Sequence, residues 1–466
     1  MADVLESSLA VPFRDEDGDI RAEFLALVED AISSKNRDGL TDLVGDLHEA
    51  DLADLLKSLH SDDRPLLIEL MGADFDFAAL NELDETERVE ILDELDTGTV
   101  VEGIKDLDSD DAVSLLEGLD EEEQDEILER MPAIERAVIE RALDYPEDSA
   151  GRLMQSEVIA VPPFWTVGQT IDHMRETEDL PNTFYEIYVV DAGHRLLGAV
   201  PLDRLLRNKR PVKIEEIVSE AHHAVKALDG QGDVARRFQR YNLASAAVVD
   251  EAGRLVGTLT VDDIVDVIDQ EADANLKALG GVKGDEEISD SILTTTRSRF
   301  GWLFVNLITA FVAAAVVSLF EAQLEQMVAL AVLAPIVASQ GGNAATQTMT
   351  VAVRALATRD LMSANLYRVV TREAVVGLLN GVGFALLTGS VAALWFKEIG
   401  LGIVIGLAMI VNLLAGALGG ILIPIALHRL KADPAVSSGV FVTTVTDVVG
   451  FFAFLGIASW WFGLIR

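Results

Sequence analysis

The spacing of apolar residues changes character twice along the chain, and each regime predicts a different kind of element. Leu47, Leu59, Met71, Leu83, Leu95, Leu107, Leu119, Met131 and Leu143 recur every twelve residues. Asp84, Asp96, Asp108, Asp120 and Asp144 follow them, with His48 and His60 in the same place earlier. The pattern predicts helices of about two turns that end near the Leu, with the Asp carboxylate capping the next helix. Helices this short cannot bury their own apolar faces, so they are expected to stack as a solenoid. A leading helix is expected around 20–32, and Tyr145–Met154 closes the repeat.

The second regime repeats at a shift of 59 residues. Val189-Val190-Asp191 returns as Val248-Val249-Asp250, and Arg195-Leu196-Leu197-Gly198 as Arg254-Leu255-Val256-Gly257. Each copy predicts strand, turn, strand and amphipathic helix. The third regime is a set of apolar segments at about 300–320, 326–352, 366–395, 400–427 and 438–464, each long enough to cross a bilayer as helix. Their small residues, among them Gly377, Gly381, Gly416 and Gly420, suit close packing of membrane helices. Basic residues flank alternate ends (Arg297, Arg299; Arg354, Arg359, Arg368, Arg372; Arg429, Lys431). The positive-inside rule then puts the N-terminus in the cytoplasm and the C-terminus outside.

Charge sharpens this division. The 466 residues carry a formal net charge of −42, and the acidic residues concentrate before the apolar segments. Such a surface excludes nucleic acid as a partner, because phosphate neutralisation needs basic residues. It favours cations. With no cysteine there is neither a disulfide framework nor a thiolate metal site. The first residues lack the basic-then-apolar pattern of a signal peptide, so the acidic half is expected in the cytoplasm.

Candidate chemistry follows from misplaced polarity. Asp447 lies mid-way in the last apolar segment, where a carboxylate costs about 3 kcal/mol or more; Thr443, Thr444 and Thr446 accompany it. It reads as the one deeply placed carboxylate of the spans, which leaves an intramembrane aspartyl hydrolase without its second acid. Pro335, Gly341-Gly342, Asn343 and Gln347 in the second segment predict a broken helix lining a wet path. Asp262, Asp266, Asp269 and Asp273 share one helical face with Asp263 beside them, a repulsion that a bound cation would relieve.

The 59-residue repeat resembles a tandem pair of CBS modules, whose Thr-x-x-Asp is kept as Thr260 and Asp263 in the second copy and replaced by Pro201 and Arg204 in the first. That resemblance implies ATP or another adenine nucleotide as a ligand of the second copy. The whole order resembles the MgtE family of magnesium channels and transporters. The motifs that carry it are Tyr145–Met154, Gly341-Gly342-Asn343, Arg354–Asp360, and Asp433-Pro434-Ala435 leading to Thr444–Gly450. The chain departs from the family pattern at Ala274, Asn275, Ala345 and Gly439-Val440.

The expected architecture is multidomain: an all-α helical-repeat solenoid, an α/β tandem CBS pair and an all-α five-span transmembrane bundle. The expected boundaries are an N-terminal segment at 1–40, the helical repeat at 41–150, CBS modules at 151–214 and 215–269, an acidic connecting helix at 270–296 and the spans at 297–466. The resemblance implies a homodimer in membrane lipid that is not an enzyme. It would conduct Mg²⁺ past Asp447 and close when Mg²⁺ binds Asp263, Asp266 and Glu271, with Asp110 and Asp111 as further sensor candidates. The alternative is a channel or exporter for Co²⁺, Mn²⁺ or Zn²⁺ with nucleotide-regulated CBS modules.

Overall fold

The computed structural model describes residues 12–464 except 178–179, 182, 220–222, 359–360, 362–365 and 432–433. Arg359, Asp360 and Asp433 of the family motifs therefore lie outside the described residues. The chain divides into two units, residues 1–271 and 272–466.

Among the described residues, the first unit opens with short α-helices: α1 (Ala22–Ser33), α2 (Arg37–Val44), α3 (Glu49–Ser58), α4 (Asp63–Met71), α5 (Glu85–Glu94), α6 (Thr97–Ile104), α7 (Ser109–Glu117), α8 (Glu121–Arg130) and α9 (Ala133–Leu143). All of the twelve-residue periodic side chains enter one apolar core, with Leu47, Leu107 and Leu143 at its margin. Capping follows the repeat only in part. His48 accepts from Ala50 N, Asp96 from Gly98 N, and Asp120 forms a capping box with Glu123. His60 does not cap, because α4 starts later and Asp62 takes that place. Asp144 ends α9 instead of opening a helix, and Asp108 makes no cap bond.

The two CBS copies fold alike. A short helix α10 (Ala150–Leu153) precedes β1 (Ala160–Val161), α11 (Val167–Glu176), β2 (Glu186–Val190), β3 (Leu196–Pro201) and α12 (Leu202–Arg207). Then come β4 (Val225–Lys226), α13 (Gln231–Tyr241), β5 (Ser245–Val249), β6 (Leu255–Thr260) and α14 (Val261–Leu279). Each sheet has three strands in sequence order, the first pair parallel and the second antiparallel. Register repeats as well, with Glu186 opposite Pro201 and Ser245 opposite Thr260. The segment after the solenoid joins the second copy rather than the first. Ala150 N donates to Asp229 O and Gly151 N to Ala227 O, both at 2.8 Å, and Ala150 and Met154 enter the second module's core.

The expected connecting helix is the continuation of α14, and it ends at Leu279; Gly281, at φ +75°, turns the chain out of it. Residues 280–291 are not helical. Two ion pairs hold this turn, Lys277 to Glu287 at 3.0 Å and Arg299 to the buried Glu286.

Among its described residues, the second unit contains five helices long and apolar enough to cross a membrane. They lie in α15 (Ile292–Ser318), α17 (Val328–Ala357), α18 (Leu366–Phe396), α19 (Ile399–Arg429) and α20 (Pro434–Trp461), with a short α16 (Glu321–Gln326) after the first. α19 is the most enclosed, packed on α17, α18 and α20. The predicted break in the second span is absent: α17 runs through Pro335 and Gly341-Gly342 without interruption. Just past the proline, the buried Asn412 amide of α19 donates to Val337 O at 2.7 Å and buttresses the helix from its side.

Candidate ion path and acidic sensor site

Helix α17 places Asn343, Thr346, Gln347 and Thr350 at exposed positions three and four residues apart, hence on one face. On α20, Thr443 is exposed and Thr444 and Asp447 are half-buried. The hydroxyls all donate within their own helices: Thr346 to Gly342 O at 3.0 Å, Thr350 to Thr346 O at 3.0 Å, Thr443 to Gly439 O at 2.9 Å and Thr444 to Val440 O at 2.6 Å. With their hydrogens engaged, these oxygens present lone pairs outward. A stripe of acceptors with one carboxylate suits a cation carrying its water.

Thr446 departs from the pore-lining expectation. It is fully buried, its Oγ1 donates to Thr443 O at 2.9 Å, and a Cβ on Gly342 would stand 3.9 Å from it. It is a packing residue between α17 and α20. Asp447 is also not the spans' single acid. Glu373, early in α18, lies half-buried with its Oε2 3.5 Å from Thr348 Oγ1. At one end of α17 and α20, Ala278 and Leu279 from the close of α14 pack on Ala345, Met349, Val353, Ala435 and Val442.

The acidic site in the first unit arises where two helices begin. Asp110 and Asp111 occupy the first turn of α7, and Asp263 the first turn of α14. Exposed amides at helix starts favour such carboxylates locally. Asp263 Oδ2 accepts from Thr260 N at 3.2 Å and Thr260 Oγ1 at 2.5 Å; Asp111 Oδ1 accepts from Asn81 Nδ2 at 3.0 Å. Burial nevertheless raises all three, and neighbouring carboxylates add to it. Asp111 is pushed up to about 7 by burial, then by Asp263, Asp108 and Glu49. Asp263 reaches about 6, through burial and then Asp262 and Asp266, against the Thr260 hydrogen bonds. Asp110 is held well above the usual range by burial, Asp263 and Asp111. Asp266 is raised by burial and by Glu82 of the solenoid.

Two partners in this region had no sequence signal. Asp108, freed from capping, is raised by burial and by Glu157. Glu157 Oε2 in turn accepts from Ser109 Oγ at 2.8 Å and Ser109 N at 3.2 Å, tying the solenoid to the first residues of the CBS pair. Glu271 lies elsewhere, its Oε1 so close over Gly232 of α13 that a Cβ there would stand 1.8 Å away. Among the described residues, no three His, Asp or Glu groups are grouped so that they could hold a metal ion. The nucleotide candidates Thr260 and Asp263 are bonded to each other, and the cleft beside Thr260, flanked by Glu157 and Glu186, has room for about one water molecule.

The divalent cation transporter family MgtE matches residues 334–457, the MgtE intracellular N domain matches 47–148, and the CBS domain matches 150–210 and 214–270. The magnesium transporter MgtE of Thermus thermophilus is 35% identical over 326 residues, covering 69% of this chain and 72% of that protein. This chain belongs to the MgtE family. The MgtE of Enterococcus faecalis is 34% identical over 325 residues, covering 70% of this chain and 72% of its own. Among solved structures, the cytosolic domain of the Mg²⁺ channel MgtE in complex with ATP aligns at 30% identity with a TM-score of 0.49, over 52% of this chain and 99% of that one. As an MgtE-family magnesium transporter, the chain is a multi-pass membrane protein and not an enzyme. The MgtE transporter match runs from α17 to α20 and contains Asn343, Gln347, Asn412 and Asp447, and the N-domain match contains Asp108, Asp110 and Asp111.

Proposed function

We propose that this MgtE protein is a homodimer that admits Mg²⁺ passively past Asp447 and closes when Mg²⁺ accumulates in the cytoplasm. The observation that carries the reading is the exposed face of Asn343, Thr346, Gln347 and Thr350 on α17, with exposed Thr443 and half-buried Asp447 on the α20 that packs on it, in helices otherwise long and apolar enough to span a bilayer. Facing lipid, that stripe would leave an amide pair and a carboxylate unsolvated. Facing a second copy across a wet axis, it offers acceptor oxygens to a hydrated dication. Outer-sphere contact holds the ion through its water and still lets it leave. The basic flanks of the spans orient the acidic half to the cytoplasm and the C-terminus outside.

For closure, the reading uses the carboxylates of α7 and α14. Asp110, Asp111, Asp263 and Asp266 repel in the arrangement described, and hydrated Mg²⁺ between them would stabilise it. Several weak sites supply the few kcal/mol that a population shift needs. α14 ends in the apolar seat on α17 and α20 formed around Ala278, so ordering that helix would keep those two helices shut. The CBS pair acts as the coupler; an adenine nucleotide would enter only after the cleft beside Thr260 widens. Flux into liposomes, compared among Mg²⁺, Co²⁺, Mn²⁺ and Zn²⁺ with Mg²⁺ added on the cytosolic side, tests the reading. Mg²⁺ should pass best and should inhibit from that side. Preference for a transition-metal ion would favour the alternative substrate.

A further inference from the structure

Asn412 has no exposed surface, and neither the family motifs nor the reading above gives it a role. Its Nδ2 donates to Val337 O, and its Oδ1 has no hydrogen-bond partner among the described residues. An unpaired buried amide oxygen is unfavourable, and an apolar residue of the same size would avoid it. The surroundings are built for this side chain. A Cβ on Gly341 of α17 would stand 2.0 Å from Nδ2, and one on Gly450 of α20 would stand 2.7 Å from it. Three helices thus meet at one amide, and two of them are glycine where they touch it.

Both glycines are tied to the candidate path. Gly450 is one turn beyond Asp447 on the same side of α20, and Gly341 is two residues before Asn343. The amide stands behind the pair of helices whose oxygens form the stripe. We propose that Asn412 is a positioning residue: its amide spaces α17 from α20, sets where Asp447 meets the ion, and so favours Mg²⁺ over the larger, more easily dehydrated Ca²⁺. This rests on the assignment of Asp447 to the ion path. Mg²⁺ demands near-ideal octahedral water at short distances, whereas Ca²⁺ accepts looser, higher coordination, so a slackened spacing should relax selectivity before it stops flux.

The test uses full-length protein in liposomes, with Mg²⁺ and Ca²⁺ flux measured on matched amounts of inserted dimer. Asn412→Ala should raise the Ca²⁺ to Mg²⁺ flux ratio by about tenfold. Gly450→Ala, which pushes on the same amide from α20, should also raise it and serves if Asn412→Ala fails to insert. In Gly341→Ala/Asn412→Ala the new methyl takes the vacated space, so insertion should recover while the ratio stays high. A merely structural role would lower both fluxes in proportion. An unchanged ratio in Asn412→Ala, or in Gly450→Ala where only that variant inserts, overturns the inference. Asp447→Ala separates the two claims: if it still conducts, the ion-path assignment fails first.

Discussion

Asp263 is the charge that acts most strongly on Asp111, across the seam between the helical repeat and the second CBS module. Both acids are raised, to about 6 and about 7, chiefly by burial. A carboxylate with a raised folded value contributes stability that is complete below its unfolded value near 4 and is lost as pH rises through the folded value. Without Mg²⁺, the first unit should therefore resist proteolysis better at pH 5 than at pH 8. Added Mg²⁺ should restore resistance at pH 8. Equal cleavage at both pH values without Mg²⁺ would count against the seam as a charged site.

Binding a dication there competes with protons. The Mg²⁺ concentration that half-closes the pore should rise as pH falls from 8 to 6, across the range set by Asp263 and Asp111. Flux inhibition by Mg²⁺ at those two pH values measures this directly, and a pH-independent midpoint would speak against these acids as the sensor.

Neutralising the seam should act in two directions. Asp111→Asn with Asp263→Asn should stabilise the Mg²⁺-free protein against heat by removing a buried repulsion. It should also raise the Mg²⁺ needed for closure by about tenfold or more, since 1.4 kcal/mol of lost attraction is a factor of ten. Glu271→Gln, remote from that pair over Gly232, should change closure less. Thermal unfolding and flux inhibition on the same preparations distinguish the two effects.

Legibility followed the physical length of each signal. The twelve-residue Leu period and the 59-residue repeat were readable because many positions enforce one register, and the structure uses nearly all of them. Two-residue strands such as Ala160–Val161 and Val225–Lys226 are too short to express a period. Asp108 carries the same local pattern as Asp96, yet of the two only Asp96 caps; the Asp108 carboxylate hydrogen-bonds Gln155 instead, nearly fifty residues away. Pro335 and the Gly pair alone predict a break, because the sequence does not reveal Asn412 alongside Val337. Asp447 stood out by its cost, while Thr446 shared its neighbourhood without sharing its exposure.

The seat under α14 gives a gating prediction. Ala278 is 5% exposed among Ala345, Met349 and Val353, so Ala278→Asp buries a charge without a partner. That variant should continue to pass Mg²⁺ at cytosolic concentrations that close the wild type. Normal closure in Ala278→Asp would remove α14 from the gate.

Thr446 and Gln347 separate packing from lining. Thr446→Val keeps the shape of a buried side chain, so Mg²⁺ flux should stay within about threefold, given a loss on the order of one hydrogen bond. Gln347→Leu should reduce flux more strongly, because it removes an exposed amide from the stripe. The reverse ranking would exchange the roles given to these two residues.

The most direct test of the account is Mg²⁺ entry into liposomes carrying full-length Asp447→Ala, with the amount of inserted protein matched to the wild type. The expected result is loss of Mg²⁺ flux with membrane insertion intact. Flux at the wild-type rate would contradict the assignment of Asp447 to the ion path.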